Sequence, residues 1–251
     1  MSFEEAKKLD DHFVMHTFAR KPVLLVEGSG MEVKDDEGKT YLDFIAGIGV
    51  DSLGHCHPAV VRAIQDQAAK LIHVSNYYYI EQRGAVAKLL SDMLNVCVPK
   101  FFRAPWPVFF ANSGAEANEC AIKAARKYAA EHKDPEYHTI ITLKNSFHGR
   151  TITTLAATGQ DVFHHDFLPL TEGFAYAEAN DLDDLKAQVA AHKCAAIMIE
   201  VVQGEGGVIP LTQEFVKGAA QLAAAQDILL ICDEVQIGNG RSGMLYGYMA
   251  Y

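Results

Sequence analysis

The sequence predicts an α/β protein in which a mostly parallel sheet is covered by helices on both faces. Short continuous apolar stretches bounded by turn residues alternate, from about residue 107 onward, with longer stretches of helical spacing. Bulk agrees: 251 residues, 49% hydrophobic and 22% charged, are enough to bury a large core.

The elements follow in order. The opening MSFEEAKKLDDHF is acidic and amphipathic and lacks a signal-peptide apolar run. VLLVEGSG (23–30) and MEVKDDEGKTYLDF (31–44) read as short strands. DDEGKT is a hairpin signal, with Gly38 free to take positive φ. A glycine-rich stretch runs to Pro58, which suits the first turn of a helix over AVVRAIQDQAAKLI (59–72). EQRGAVAKLLSDMLN (81–95) is a second helix. VFFA (108–111) reads as a short buried strand, followed by a helix over 113–132. HTIITL (138–143), AAIMIEVV (195–202) and DILLIC (227–232) read as buried strands. Helices over 181–192 and 214–226 separate the last three. In such sheets ligands bind beyond the carboxyl ends of strands, and the polar motifs of this sequence fall there.

Charge and cysteines narrow the setting. Twenty-two basic against 32 acidic residues give −10 and no basic run, which disfavours nucleic-acid and anionic-membrane partners. The five cysteines are scattered and form no C-x-x-C pair, as expected of reduced thiols in a cytoplasmic chain. No stretch reaches the ~18–20 apolar residues of a membrane span.

Four motifs stand out. Ser113-x-x-Glu116 matches a capping box and starts a helix; Gly114 and Ala115 leave its first N–H groups open to an anion such as phosphate. An ordinary N-cap is the plain alternative. Asn145–Thr151 holds Phe147, His148 and Arg150 just past a strand. The ring could stack on a heteroaromatic and the guanidinium clamp a carboxylate, unless the loop is simply a polar turn with its Phe in the core. Asp233-Glu234-Val235-Gln236 ends a buried strand, where an acid needs a cation such as a protonated pyridine nitrogen, a metal, or a neighbouring loop to cap. Glu200–Gly207 closes another strand, its glycines allowing close backbone approach in either a structural turn or a substrate gate. Gly238-x-Gly240-x-x-Gly243 formally matches a dinucleotide fingerprint but lacks a following helix and acid. His55 and His57 at i, i+2 make a poor metal site, so no metal is expected.

NSGAEANE (112–119), SFHGRT (146–151), EVVQGEGG (200–207) and LLICDEVQIGNGRSG (229–243), in that order, resemble the class III pyridoxal-phosphate aminotransferases of fold type I. The N-terminal GIGVDSLGHCHP and HVSNYYYIEQ look most like the acetylornithine, ornithine and succinylornithine branch. The resemblance implies pyridoxal 5′-phosphate as cofactor. Ser113, Gly114 and Ala115 would hold its phosphate, Phe147 would stack on its ring, and Asp233 would pair with the pyridinium nitrogen and keep it protonated. Gln236 would contact the ring hydroxyl, with Glu234 and Val235 of the same turn in the binding set. Arg150 and Glu205 would serve substrate binding, with Glu200 and His148 in the supporting shell. An ω-amino donor and 2-oxoglutarate would be the substrates, giving glutamate, in a homodimer.

One departure from the pattern bears on activity. The Schiff-base lysine of this family lies after the DEVQ region, whereas the last lysine here is Lys217. The expectation is therefore an N-terminal portion of such an enzyme: residues 1–60 belonging to a small domain, 61–251 to the large cofactor-binding domain, and the sheet incomplete at the C-terminus. The chain alone should turn over negligibly. The competing expectations are a non-catalytic cofactor-binding module, or subunit completed by a partner, and a nicotinamide-dependent oxidoreductase.

Overall fold

A computed structural model describes residues 1–251, which divide into two compact units, Met1–Ile80 and Glu81–Tyr251. In the first unit, helix α1 (Phe3–Phe13) starts from a complete capping box. The Ser2 hydroxyl accepts the Glu5 N–H, and the Glu5 carboxylate accepts that of Ser2. Strands β1 (Leu25–Ser29), β2 (Glu32–Asp35) and β3 (Thr40–Leu42) form an antiparallel sheet in chain order. The expected hairpin joins β2 to β3, with Gly38 at φ 84°. Asp35 ties the turn down, accepting the N–H groups of Glu37 and Lys39 and the Tyr41 hydroxyl. A short turn, α2 (Ala46–Gly49), precedes α3 (Pro58–Ala68), which has its proline in the first turn.

The second unit carries α4 (Glu81–Leu94), α5 (Gly114–His132), β4 (Thr139–Leu143), α6 (Ile152–Ala157), β5 (Phe174–Ala177) and α7 (Leu182–Ala191). It continues through β6 (Cys194–Ile199), the two-residue strands β7 (Val202–Gln203) and β8 (Ile209–Pro210), α8 (Gln213–Ala225) and β9 (Leu229–Cys232). The main sheet has the order β5-β4-β6-β9, and every pairing in it is parallel. Side chains alternate as the pleat requires. Ile140, Ala196 and Met198 pack with Ile122, Ala125 and Ala129 of α5; Ile141, Leu143, Ile197 and Ile199 pack with Leu185 of α7 and Phe215 of α8. Burial on both faces explains why these strands read as unbroken apolar runs.

Two expectations need correcting. VFFA is no strand: residues 108–111 have no ladder partner, and Phe109 is 65% exposed. Apolar composition does not make a strand without a neighbouring edge to pair with. The capping box at Ser113 is half formed. Its hydroxyl accepts the Glu116 N–H, but the Glu116 carboxylate reaches past it to the N–H of Asn112. No helix is long and apolar enough to cross a membrane.

Candidate active site

Because β4, β6 and β9 are adjacent and parallel, the loops that follow them emerge at one end of the sheet. Helix α5 packs against β6 on one face, and its N-terminal part is held at that same end by the bonds of Asn118 to His148 and Asp233. Asp233, just past β9, is the centre. It is 7% exposed, and its Oδ2 accepts from Asn118 Nδ2 at 2.7 Å and lies 2.8 Å from His148 Nδ1. Its Oδ1 accepts the Val235 N–H at 3.0 Å. Burial alone would push this carboxyl up; the His148 bond and charge, with the Val235 N–H and the Asn118 amide, outweigh it and hold Asp233 below its ordinary value. The site is therefore anchored by a buried, ionised carboxylate.

His148 is itself fully buried, with its backbone N–H on the Thr158 hydroxyl and its carbonyl accepting from Asn118. Phe147, one residue earlier, donates its N–H to Glu200 at 3.0 Å, which joins the loop after β4 to the residue that follows β6. Its ring meets Phe163 edge-on, at 6.0 Å between centroids. The Arg150 guanidinium lies over both rings, 4.7 Å from Phe163 and 5.6 Å from Phe147. Burial pushes the Glu200 carboxyl up to about 7, against the lowering by His148 and the Phe147 N–H.

Two of the glycines of the 200–207 turn, Gly204 and Gly206, are there for space. A Cβ at Gly204 would lie 1.7 Å from Gln236 Oε1, and one at Gly206 2.3 Å from the Asn145 carbonyl. Glu205 is exposed and accepts from Gln160 Nε2, which also donates to the Ser146 carbonyl. Glu234 turns elsewhere: its carboxylate accepts the N–H groups of Gly247 and Tyr248, so it secures the 247–250 turn and does not join Asp233.

Sequence reasoning missed Asn118, Thr158 and Gln160 as members of this network. Asn118 had a legible signal, since it shares the apolar face of α5 with Ile122, Ala125 and Ala129, where an unpaired amide would be costly. Thr158 and Gln160 had none. His164 is also buried and bridges the carbonyls of Leu155 and Thr158.

Three features fit pyridoxal 5′-phosphate. Asp233 Oδ1 carries one donor where Oδ2 carries two, so it retains acceptor capacity for a pyridinium N–H. The N–H groups of Gly114 and Ala115 have no protein acceptor, at the positive end of a 19-residue helix. A Cβ at Gly114 would sit 2.6 Å from Val235 Cγ1, so glycine brings that helix end against the Asp233 turn. Lys144 does not approach Asp233; it pairs with Glu178 at the surface.

Known proteins agree with this arrangement. Residues 15–251 match the family described as aminotransferase class-III. The acetylornithine aminotransferase of Caldanaerobacter subterraneus subsp. tengcongensis is 51% identical over 239 residues, 95% of this chain and 58% of that protein. That of Methanocaldococcus jannaschii is 47% identical over 251 residues, all of this chain and 61% of that protein. Among solved structures, ornithine aminotransferase from Toxoplasma gondii superposes with a TM-score of 0.89 at 33% identity, covering 98% of this chain and 56% of the other. N-acetylornithine aminotransferase from Stenotrophomonas maltophilia gives 0.78 at 36% identity, with 97% and 57% covered. The chain spans about 60% of the length of the curated relatives it matches.

Proposed function

The chain belongs to the class-III aminotransferases, and we propose that its protein moves an ω-amino group from N-acetylornithine, or a related ω-amino donor, to 2-oxoglutarate. Glutamate is the product, and the step belongs to arginine biosynthesis in the cytoplasm. The working form is a homodimer. Members of this family depend on pyridoxal 5′-phosphate. When bound, that group accepts the amino group and draws off the electron pair released at the donor carbon.

The residues divide the work. Asp233 holds the proton at the pyridine nitrogen, with His148 behind it. Ser113 and the N–H groups of Gly114 and Ala115 bind the phosphate, and Phe147 stacks on the ring. Gln236 contacts the ring hydroxyl, and Val235 packs beside it. Arg150, steadied over Phe147 and Phe163, binds a substrate carboxylate. Glu205 is the second substrate-side group. Glu200 ties the Phe147 loop to the end of β6.

One observation carries this reading: α5, through Asn118, and the loop after β4, through His148, converge on the single buried carboxylate that follows β9. Titration of the chain with pyridoxal 5′-phosphate tests it. Saturable binding is expected, weakened about tenfold or more by Asp233→Asn, because a charge-assisted bond is replaced by a neutral one. Absence of saturable binding, or equal affinity in the variant, overturns it.

The lysines favour one further statement. No lysine follows Asp233 in these 251 residues; Lys217 lies exposed on α8, and Lys144 is paired with Glu178. Cofactor bound to this chain should therefore leave on denaturation, even after borohydride treatment. A fixed adduct at any lysine would contradict that. Relative kcat/KM for N-acetylornithine, ornithine, succinylornithine and 4-aminobutyrate, measured on the whole protein, identifies the donor.

A further inference from the structure

We propose that Asn118 is a positioning residue for Asp233, orienting the carboxylate so that Oδ1 is the oxygen presented to a pyridine nitrogen. The inference rests on the reading of Asp233 as the pyridinium partner. Asn118 sits inside α5 and is 5% exposed, on the face that otherwise carries Ile122, Ala125 and Ala129. An amide there is tolerated only if it is satisfied. Its nitrogen donates twice, at 2.8 Å to the His148 carbonyl and at 2.7 Å to Asp233 Oδ2. Both partners are acceptors, so the NH2 end must face them, and its two protons are used.

The consequence for Asp233 is asymmetry. Oδ2 is engaged by Asn118 and His148 together, whereas Oδ1 meets only the Val235 N–H. A carboxylate held by two donors on one oxygen cannot turn that oxygen outward without breaking both bonds. Asn118 also fixes the backbone of His148 and so sets the position of the imidazole that forms the second of these bonds. A single side chain thus orients the carboxylate both directly and through its neighbour, from a helix whose own first turn offers the Gly114 and Ala115 N–H groups.

The test compares two ligands that differ at one atom. Pyridoxal 5′-phosphate has a ring nitrogen, and its 1-deaza analogue has a C–H there. Dissociation constants of both are measured for the full chain and for Asn118→Leu, which keeps the volume and removes both donors. The unsubstituted chain should prefer the nitrogen-containing ligand. Asn118→Leu should cut that preference about tenfold, the scale of one hydrogen bond to a charged group. The deaza analogue should bind the variant as well as it binds the parent. Equal weakening of both ligands would mean a merely structural asparagine and overturn the proposal, as would an unchanged preference. If Asn118→Leu lacks the parental far-UV circular dichroism, Asn118→Ser, whose hydroxyl is too short to reach both acceptors, gives the same comparison. Absence of preference in the parent chain would remove the Asp233 reading and this proposal together. Preference in the parent that survives in both variants would remove this proposal alone.

Discussion

The two units of this chain are held together by different physics. In Met1–Ile80 only Val33 and Asp35 are buried, and its turns are fixed by local polar bonds such as those of Asp35 and the Ser2 capping box. In Glu81–Tyr251 the strands β4 and β6 are buried throughout, between α5 on one face and α7 and α8 on the other. All the residues assigned here to cofactor or substrate lie in this second unit. Three parallel strands packed on both sides place their following loops to within a hydrogen bond of one another. A hairpin with an exposed face offers no such fixed platform.

The largest expected contrast is in stability. Phe215→Ala removes a fully buried ring between α8 and the sheet and should cost about 3–5 kcal/mol in urea unfolding. Ile72→Ala in the first unit, where the side chain is 87% exposed, should stay within about 0.5 kcal/mol. Similar costs at the two positions would break the comparison.

Next comes pH. The Glu200 carboxyl is raised to about 7 by burial, so between its unfolded value near 4.5 and about 7 the folded state holds a proton that the unfolded state has lost. Stability from this group is therefore full below about 4.5 and declines as pH rises through about 7, by up to about 3 kcal/mol. Asp43 in the first unit runs the other way. The His55 bond and the Ala46 and Ile45 N–H groups lower its pKa, so its contribution is present at neutral pH and is lost on acidification. Urea unfolding from pH 5 to 8 should show a decline that Glu200→Gln reduces and Asp43→Asn leaves in place, with burial of Glu234 adding in the same direction.

Glycine substitutions sharpen the contrast further. Gly206→Ala would drive a Cβ to 2.3 Å from the Asn145 carbonyl, which should cost about 1–3 kcal/mol. Gly38 meets nothing within 4 Å, and its φ of 84° is the only obstacle, so Gly38→Ala should cost about 1–2 kcal/mol. Asparagine, which tolerates that conformation, should recover most of the loss at Gly38 and none at Gly206. Thermal unfolding of the four variants decides this. A more local effect is expected of Ser2→Ala, which should cost about 1 kcal/mol or less, confined to fraying of α1 and visible as faster amide exchange there.

How much of this was legible depended on whether the signal was local. Strands β4 and β6 announced themselves, because burial on both faces demands an apolar run, whereas β9, read as buried from the same signature, is an edge strand and only half-buried; the motifs at the strand ends followed from the parallel topology. The Gly38 hairpin and Pro58 are likewise local signals. VFFA carried the same apolar signature yet stands exposed, since a strand depends on a partner edge that its own letters do not specify. Glu116 capping Asn112, and Glu234 facing Gly247, differ from expectation because a flexible carboxylate selects among several nearby N–H groups. Asn118 and Asp233 are 115 positions apart, and only the sheet brings them to 2.7 Å. The four motifs could be read one by one; the bonds that bring Asn118 and His148 onto the Asp233 carboxylate could not.

In the proposed function, the loops after β4, β6 and β9 and the first turn of α5 form one cofactor cradle. Amide hydrogen exchange with and without pyridoxal 5′-phosphate tests it most directly. Added protection is expected at residues 113–118, 145–150, 200–206 and 233–236 together, over one range of ligand concentration. Binding that leaves these four segments unprotected, or protects only one of them, would contradict it.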